Sequence, residues 1–154
     1  MSMSTANRLA LCTELVGQIR RFIAGAILFN QKVADHVGLH LTDMQCVNLL
    51  DLLGPVTPGR LAACTGLTTG GVTVMLDRLE KAGMVKREPN PNDRRSVLVR
   101  VNPKKLQKIN ALYSGINKQL EAFFAETPEA ELRSLAHSFS RMNALRAEGR
   151  LESE

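Results

Sequence analysis

Aromatic side chains are scarce in this sequence: there is no tryptophan, one tyrosine (Tyr113) and five phenylalanines in 154 residues. Sheets that bind RNA or single-stranded nucleic acid stack bases on aromatic platforms, and so few rings argue against one. Cysteine is nearly as sparse. Cys12, Cys46 and Cys64 are odd in number with no close pair, so neither a disulfide framework nor a zinc cluster is suggested, and no cofactor or metal is expected. No apolar run approaches the roughly 18–20 residues of a membrane span, and no signal peptide precedes the first charged residues. The expectation is a cytoplasmic protein with no membrane partner. Enzyme signatures are missing as well. There is no Gly-rich phosphate loop with its Lys, no nucleophile motif and no pair of carboxylates in an apolar setting, so the chain is not read as an enzyme.

What is present is enough for one domain, since a chain of this length buries a core without metal or disulfide staples. Its positive charge is unevenly placed. Residues 60–105 carry ten Lys/Arg against four acids, residues 1–59 balance at four of each, and from residue 121 onward seven Glu face four Arg. Clustered charge is often only a solvated face. Here it coincides with a motif, and that coincidence points to a polyanionic partner.

The motif runs from Thr57 to Val85. Thr57-Pro58 starts a short helix with Thr as N-cap and Pro in the first turn, Gly66 supplies a turn, and Thr68 caps a second helix that ends near Gly83. Val85–Glu88 and Ser96–Val101 alternate like two antiparallel strands around the loop Pro89-Asn-Pro-Asn-Asp-Arg-Arg95. A helix-turn-helix followed at once by a basic ribbon is suited to a duplex: the helix fits the major groove and the ribbon reaches the flanking backbone or minor groove.

Long helices flank this unit. The spacing of Leu11, Leu15, Ile19, Phe22, Ile23, Ala26, Ile27 and Val33 predicts a helix from Ser4 to Val37, ended by Gly38. Thr42-Asp-Met-Gln45 has the pattern of a capping box and opens a second helix carrying Met44, Val47, Leu50 and Leu53. Gly54-Pro55 stops it, and Val56 suits a short strand. After Asn102-Pro103 comes a helix with Leu106, Ile109, Leu112, Ile116, Leu120 and Phe123, and Thr127-Pro128 caps a last one bearing Leu132, Leu135, Phe139, Met142 and Leu145. The tail after Gly149 is expected to fray. The terminal stripes exceed what a monomer covers, which points to a homodimer. The expected fold class is mainly α (α+β), a single domain over 1–154. Its helix-turn-helix lobe spans 41–102, and dimerisation helices span 4–37 and 103–147.

On a helical wheel of the fourth helix, Val72, Met75, Leu76 and Leu79 share the core face. Gly70, Thr73, Val74, Asp77 and Lys81 lie opposite, with Thr69 and Arg78 at the margins. Thr hydroxyls hydrogen-bond base edges or phosphate, and the methyls of Thr73 and Val74 suit thymine methyl groups. Gly70 and Gly71 weaken the helix by roughly 1 kcal/mol each, for which close backbone approach to DNA is one reason and packing on the third helix another. Arg94 and Arg95 at the ribbon tip are the strongest candidates for groove or backbone contact, with Asp93 expected to hold an Arg by a charge-assisted hydrogen bond. Lys86, Arg87, Arg100 and Arg60 are phosphate candidates. The DNA-contacting set is thus Arg60, Thr68, Thr69, Gly70, Thr73, Val74, Arg78, Lys86, Arg87, Asp93, Arg94 and Arg95.

The run Leu76-Asp-Arg-Leu-Glu-Lys-Ala-Gly-Met-Val-Lys-Arg-Glu-Pro-Asn-Pro-Asn-Asp-Arg-Arg-Ser-Val-Leu-Val-Arg-Val-Asn-Pro103 and the order of elements closely resemble the MarR family of transcriptional regulators. The similarity spans most of the chain and is densest from Leu41 to Pro103. It implies a winged-helix homodimer joined through its first and last helices, bound to pseudo-palindromic duplex sites. It also implies a repressor released by a small aromatic or phenolic effector. Many relatives carry Arg or Ser on the reading helix where this chain has Gly70 and Val74, which shifts base readout toward Thr69 and Thr73. The family's effector cleft, between DNA-binding lobe and dimer helices, makes Phe22, Phe29, His36, His40, Met44 and Tyr113 ligand candidates, though plain core is the blander reading of most. His36 and His40 stand four apart, but Gly38 between them argues against a metal site. Some relatives sense peroxide through a Cys in the first helix. Apolar neighbours make Cys12 read instead as a buried, inert thiol, and Cys46 and Cys64 read the same way. A thiol-based redox regulator and a winged-helix protein–protein module are the alternative readings.

Overall fold

The computed structural model describes residues 4–148, which form six helices and one two-stranded sheet. Helix α1 (Thr5–Val37) opens on Ser4, whose hydroxyl accepts from the Asn7 N–H at 3.3 Å, and closes at Gly38. Helix α2 (Leu41–Leu53) follows, then α3 (Pro58–Thr65) and α4 (Thr69–Lys81). The antiparallel wing is β1 (Val85–Pro89) and β2 (Val97–Val101), in a register that places Val85 opposite Val101 and Arg87 opposite Val99. Val56 adds a single-residue bridge to Val99, so its expected strand is one pair long. Helices α5 (Pro103–Glu126) and α6 (Glu129–Glu148) complete the order.

The buried core lies in the middle of the chain. Met44, Cys46, Val47 and Leu50 of α2 meet Leu61 of α3, the stripe Val72, Met75, Leu76 and Leu79 of α4, and Met84, Val85, Val99 and Val101 around the wing. Among the described residues of the long helices, only Val33 and Ala34 of α1 and Ile109 of α5 enter it fully. The period of three and four on α4 thus buries the expected face. Gly83, at φ 67°, turns the chain left-handed after α4. Its N–H and that of Met84 bond back to Glu80 and Leu79, which delivers Met84 and Val85 straight into the core. Asn102 closes the other end of the wing: its amide donates to the Gly83 carbonyl and its backbone N–H to Met84, while its Oδ1 caps α5 at Lys104.

Three local expectations are corrected. Helix α2 starts at Leu41 with His40 as N-cap and no side-chain capping bond, so Thr42 is inside the helix and the capping-box pattern does not operate. Asp43 is instead turned inward, 2% exposed, to an ion partner 35 residues away. Thr127 does not cap α6; its hydroxyl donates to the Phe123 carbonyl and its N–H to Phe124, closing α5, and Pro128 supplies the first carbonyl of α6. Leu53, expected on the apolar face of α2, is 44% exposed. The tail from Gly149 and the side chain of Leu145 lie outside the described residues.

Candidate nucleic-acid interface

The motif is assembled by short-range hydrogen bonds. Thr57 Oγ1 accepts from the Arg60 N–H at 3.3 Å, which starts α3 and sets Arg60 in its exposed first turn. Gly66, in the left-handed region at φ 73°, makes the turn that side chains with a Cβ resist. Thr68 Oγ1 accepts from Gly71 N–H at 3.1 Å and so starts α4. A Cβ on Gly71 would sit 3.3 Å from that same oxygen, tight enough to crowd the cap. Gly70 differs. A Cβ there would meet nothing within 4 Å, so packing on α3 does not require this glycine. The outer face of α4 holds Thr69, Gly70, Thr73, Val74, Asp77 and Lys81, all exposed.

Two of the candidate cations are committed within the protein. Arg78 forms a paired bond with buried Asp43, Nε to Oδ2 at 3.1 Å and Nη2 to Oδ1 at 2.6 Å. It thereby ties the reading helix to α2. Arg87 reaches back from β1 to α4, to Asp77 at 2.7 Å and Glu80 at 2.5 Å, and these carboxylates raise its pKa above the ordinary guanidinium value, Asp77's hydrogen bond foremost. The wing is thus locked to the helix that carries the reading face. Sequence reasoning missed the strut role of Arg78. A signal existed: Asp43 falls four before Val47 and seven before Leu50, on a core-facing stripe, where an acid requires a partner.

The strand cations are compensated too. Lys86 and Arg100 stand opposite each other, and Glu88 on the same face pairs with both, at 3.1 Å to Arg100. Those two cations hold the Glu88 carboxyl below the usual carboxylate range, Lys86 first. At the tip the pattern changes. Asn90 Nδ2 donates to Ser96 Oγ at 2.8 Å, its Oδ1 accepts from Asn92 N–H at 3.0 Å, and the Ser96 N–H bonds the Asp93 carbonyl at 3.0 Å. Asp93 Oδ1 accepts from the backbone N–H of Arg95 at 3.0 Å. The expectation that Asp93 holds an Arg by its guanidinium is therefore corrected: it shapes the turn through the backbone. Arg94 and Arg95 are exposed and form no ion pair among the described residues.

The six ligand candidates do not converge. Phe29 and Tyr113 stack edge-on with centroids 5.3 Å apart, and the Tyr113 hydroxyl donates to Asn30 Oδ1 at 2.5 Å while Asn48 donates to it at 3.4 Å. That cluster joins α1, α2 and α5. Met44 is buried core, and His40 is the exposed N-cap of α2. Phe22 lines an apolar groove of about 560 Å³ with Ile19, Ile23, Phe139 and Met142, between α1 and α6. His36 lines a separate hollow of about 280 Å³ with Val37, Met84, Lys105, Lys108, Ile109 and Leu112. Among the described residues no three His, Cys, Asp or Glu gather as a metal set, and no helix is long and apolar enough to cross a membrane. Cys12 is exposed, contrary to the buried thiol expected, and Cys64 is half-buried. Cys46 is buried, and burial together with the nearby charge of Asp43 pushes its thiol up to about 12.

The sequence pattern of the MarR family matches residues 37–96, from the end of α1 to the wing tip. The HTH-type transcriptional regulator YcgE of Bacillus subtilis is 39% identical over 131 residues, covering 84% of this chain and 85% of its own. The chain belongs to the MarR family. It is accordingly a winged helix-turn-helix, DNA-binding transcriptional regulator. The multiple antibiotic resistance protein MarR of Salmonella typhimurium is 46% identical over 50 residues, 32% of this chain and 35% of that one. Among solved structures, a MarR-family regulator from Silicibacter pomeroyi superposes with a TM-score of 0.63 at 19% identity, over 89% of this chain and 90% of its own. Apo MarR from E. coli gives 0.56 at 20% identity, over 82% and 94%. Those two likenesses speak for the fold, which is the one described above.

Proposed function

We propose that this MarR-family chain is a homodimeric repressor that binds a pseudo-palindromic operator in the cytoplasm. Each subunit lays α4 in the major groove, with Thr68, Thr69, Gly70, Thr73 and Val74 toward the bases. Arg60, Lys86, Arg94 and Arg95 meet phosphate or the adjacent groove. Arg78, Arg87 and Asp93 shape the surface from behind rather than carry most of the contact. The observation that carries this reading is the contrast along the wing, where every strand cation has an acid partner and the two tip arginines have none among the described residues. A polyanion is the partner that such uncommitted charge suits.

Residues 41–102 are the DNA-binding lobe of the single domain, and the helices on either side join the subunits. Exposed Leu11, Leu15, Ile19, Phe22 and Ile23 on α1, with Ile116, Leu120 and Phe123 on α5, support that assignment. Such a row left in water is costly, and a second copy covers it. Release by a small aromatic or phenolic effector is supported by the hollow at the foot of the wing. Its floor is Met84, Ile109 and Leu112, and its rim carries His36, Lys105 and Lys108, a pairing that suits a single-ring anion.

A gel-shift titration against salt tests the reading. Duplex affinity should fall steeply as salt rises, with half-sites about one helical turn, ~10 bp, apart in footprints. Salt-insensitive or absent duplex binding would overturn it.

A further inference from the structure

The usual way to read a base pair from the major groove is a bidentate Arg to guanine or Asn/Gln to adenine. Helix α4 has neither to offer. It contains no Asn or Gln, its only Arg is held by Asp43, and the carboxylates of Asp77 and Glu80 are held by Arg87. Thr73 is restricted as well. Its hydroxyl donates its one proton to the Thr69 carbonyl at 3.0 Å, so it has none left for an acceptor on a base.

Of the remaining polar groups Thr69 stands in the first turn and Lys81 in the last, and between them the outer face offers methyl groups. Val74 stands in the middle of the exposed face with 57% of its surface in water. Side chains of a helix lean toward its N-terminus, so the isopropyl group of Val74 overhangs the turn that Gly70 occupies. There the space is open: beyond its own turn of backbone and its chain neighbours, a Cβ on Gly70 would meet nothing within 4 Å. Glycine at that position leaves a shelf beside Val74 for the edge of a base pair. Thr73, adjacent and exposed, adds one further methyl.

We infer that Val74, with the methyl group of Thr73, reads the 5-methyl groups of thymines in the major groove, so that the preferred half-sites carry thymine beneath α4. This rests on the operator-binding reading above and names the base chemistry that α4 recognises. One buried methyl group contributes about 0.8 kcal/mol, roughly a fourfold change in affinity.

The test begins with duplexes enriched from a random-sequence pool by the full-length protein. Each thymine of an enriched site is then replaced by deoxyuridine, which removes the methyl and keeps every hydrogen-bonding group. At one or two positions per half-site, binding should weaken about fourfold, and elsewhere it should not change. Val74→Ala should bind the thymine and deoxyuridine duplexes equally at its position. Thr73→Ser, which keeps the hydroxyl, should lose discrimination at another, and Thr73→Val, which keeps the methyl, should retain it. Equal binding of wild type to both duplexes, or full discrimination by Val74→Ala, would overturn the inference while leaving operator binding intact. Failure to enrich any duplex would remove operator binding itself, and this inference with it.

Discussion

In the lobe between α2 and β2, Leu61, Leu76 and Val99 have no surface in water, whereas Leu9, Phe22 and Leu28 along α1 each show more than three-fifths of theirs. The ion pairs divide the same way. Those that join one element to another, Asp43–Arg78, Asp77–Arg87, Glu80–Arg87 and Glu88–Arg100, all lie in the lobe among the described residues, while the Glu129–Arg133 pair stays within α6. One region satisfies itself. The other carries apolar stripes that the described residues of its own chain leave largely exposed. The same periodic signal therefore has two structural meanings, an internal core and an external seam, and burial in the folded chain separates them.

Substitutions can break that contrast. The largest stability effect is expected at Leu76→Ala, which should lower the unfolding free energy by ~2–5 kcal/mol in a denaturant titration. A loss under about 1 kcal/mol would mean the lobe core is less tightly filled than its burial indicates. At Phe22→Ser the loss should appear in self-association, ~1.5–3 kcal/mol by analytical ultracentrifugation, with lobe unfolding at low protein concentration unchanged. A variant that dimerises as wild type would remove Phe22 from the seam. Combining Arg94→Ala with Arg95→Ala should weaken binding to all duplexes and flatten the salt dependence by about one or two units. If a single base position lost discrimination instead, the wing tip would be reading sequence. Thr57→Ala should cost ~1 kcal/mol through the lost cap of α3, visible as a lower denaturation midpoint. Finally, a thiol reagent at pH 8 should spare Cys46 in the native protein until the lobe unfolds, since Cys46 is buried and stays protonated far below its pKa of about 12. Labelling of Cys46 under native conditions would show that the lobe opens locally.

The sequence was most legible where local chemistry decides the structure. Thr57 and Thr68 cap the helices they were expected to cap, Gly66 and Gly83 adopt the left-handed turns, and the buried face of α4 is the apolar one. It misled where a distant partner competes with a local pattern. Thr42 to Gln45 looks like a capping box, but Asp43 inside it is drawn inward by Arg78. Thr127 stands before a Pro as an N-cap would, yet its hydroxyl turns back to the helix it follows. Cys12 illustrates a third limit. Its apolar neighbours suggest burial, but they line a stripe that its own chain leaves uncovered. At the candidate interface, residue types and positions were readable; which cations are spent inside the protein was not, because that depends on pairs 7 to 35 residues apart.

Asn102 holds both the root of the wing and the first turn of α5 with a single side chain, and no linker stands between β2 and that helix. An extra residue inserted there would have to break the amide's bond to Gly83 or uncap α5, so the junction has no tolerance for changes in chain length. The loop from Asn90 to Ser96 makes its hydrogen bonds only within itself, so that insertions there disturb no other element. Relatives and engineered variants should thus differ in how far the wing extends, and agree on the direction in which it points.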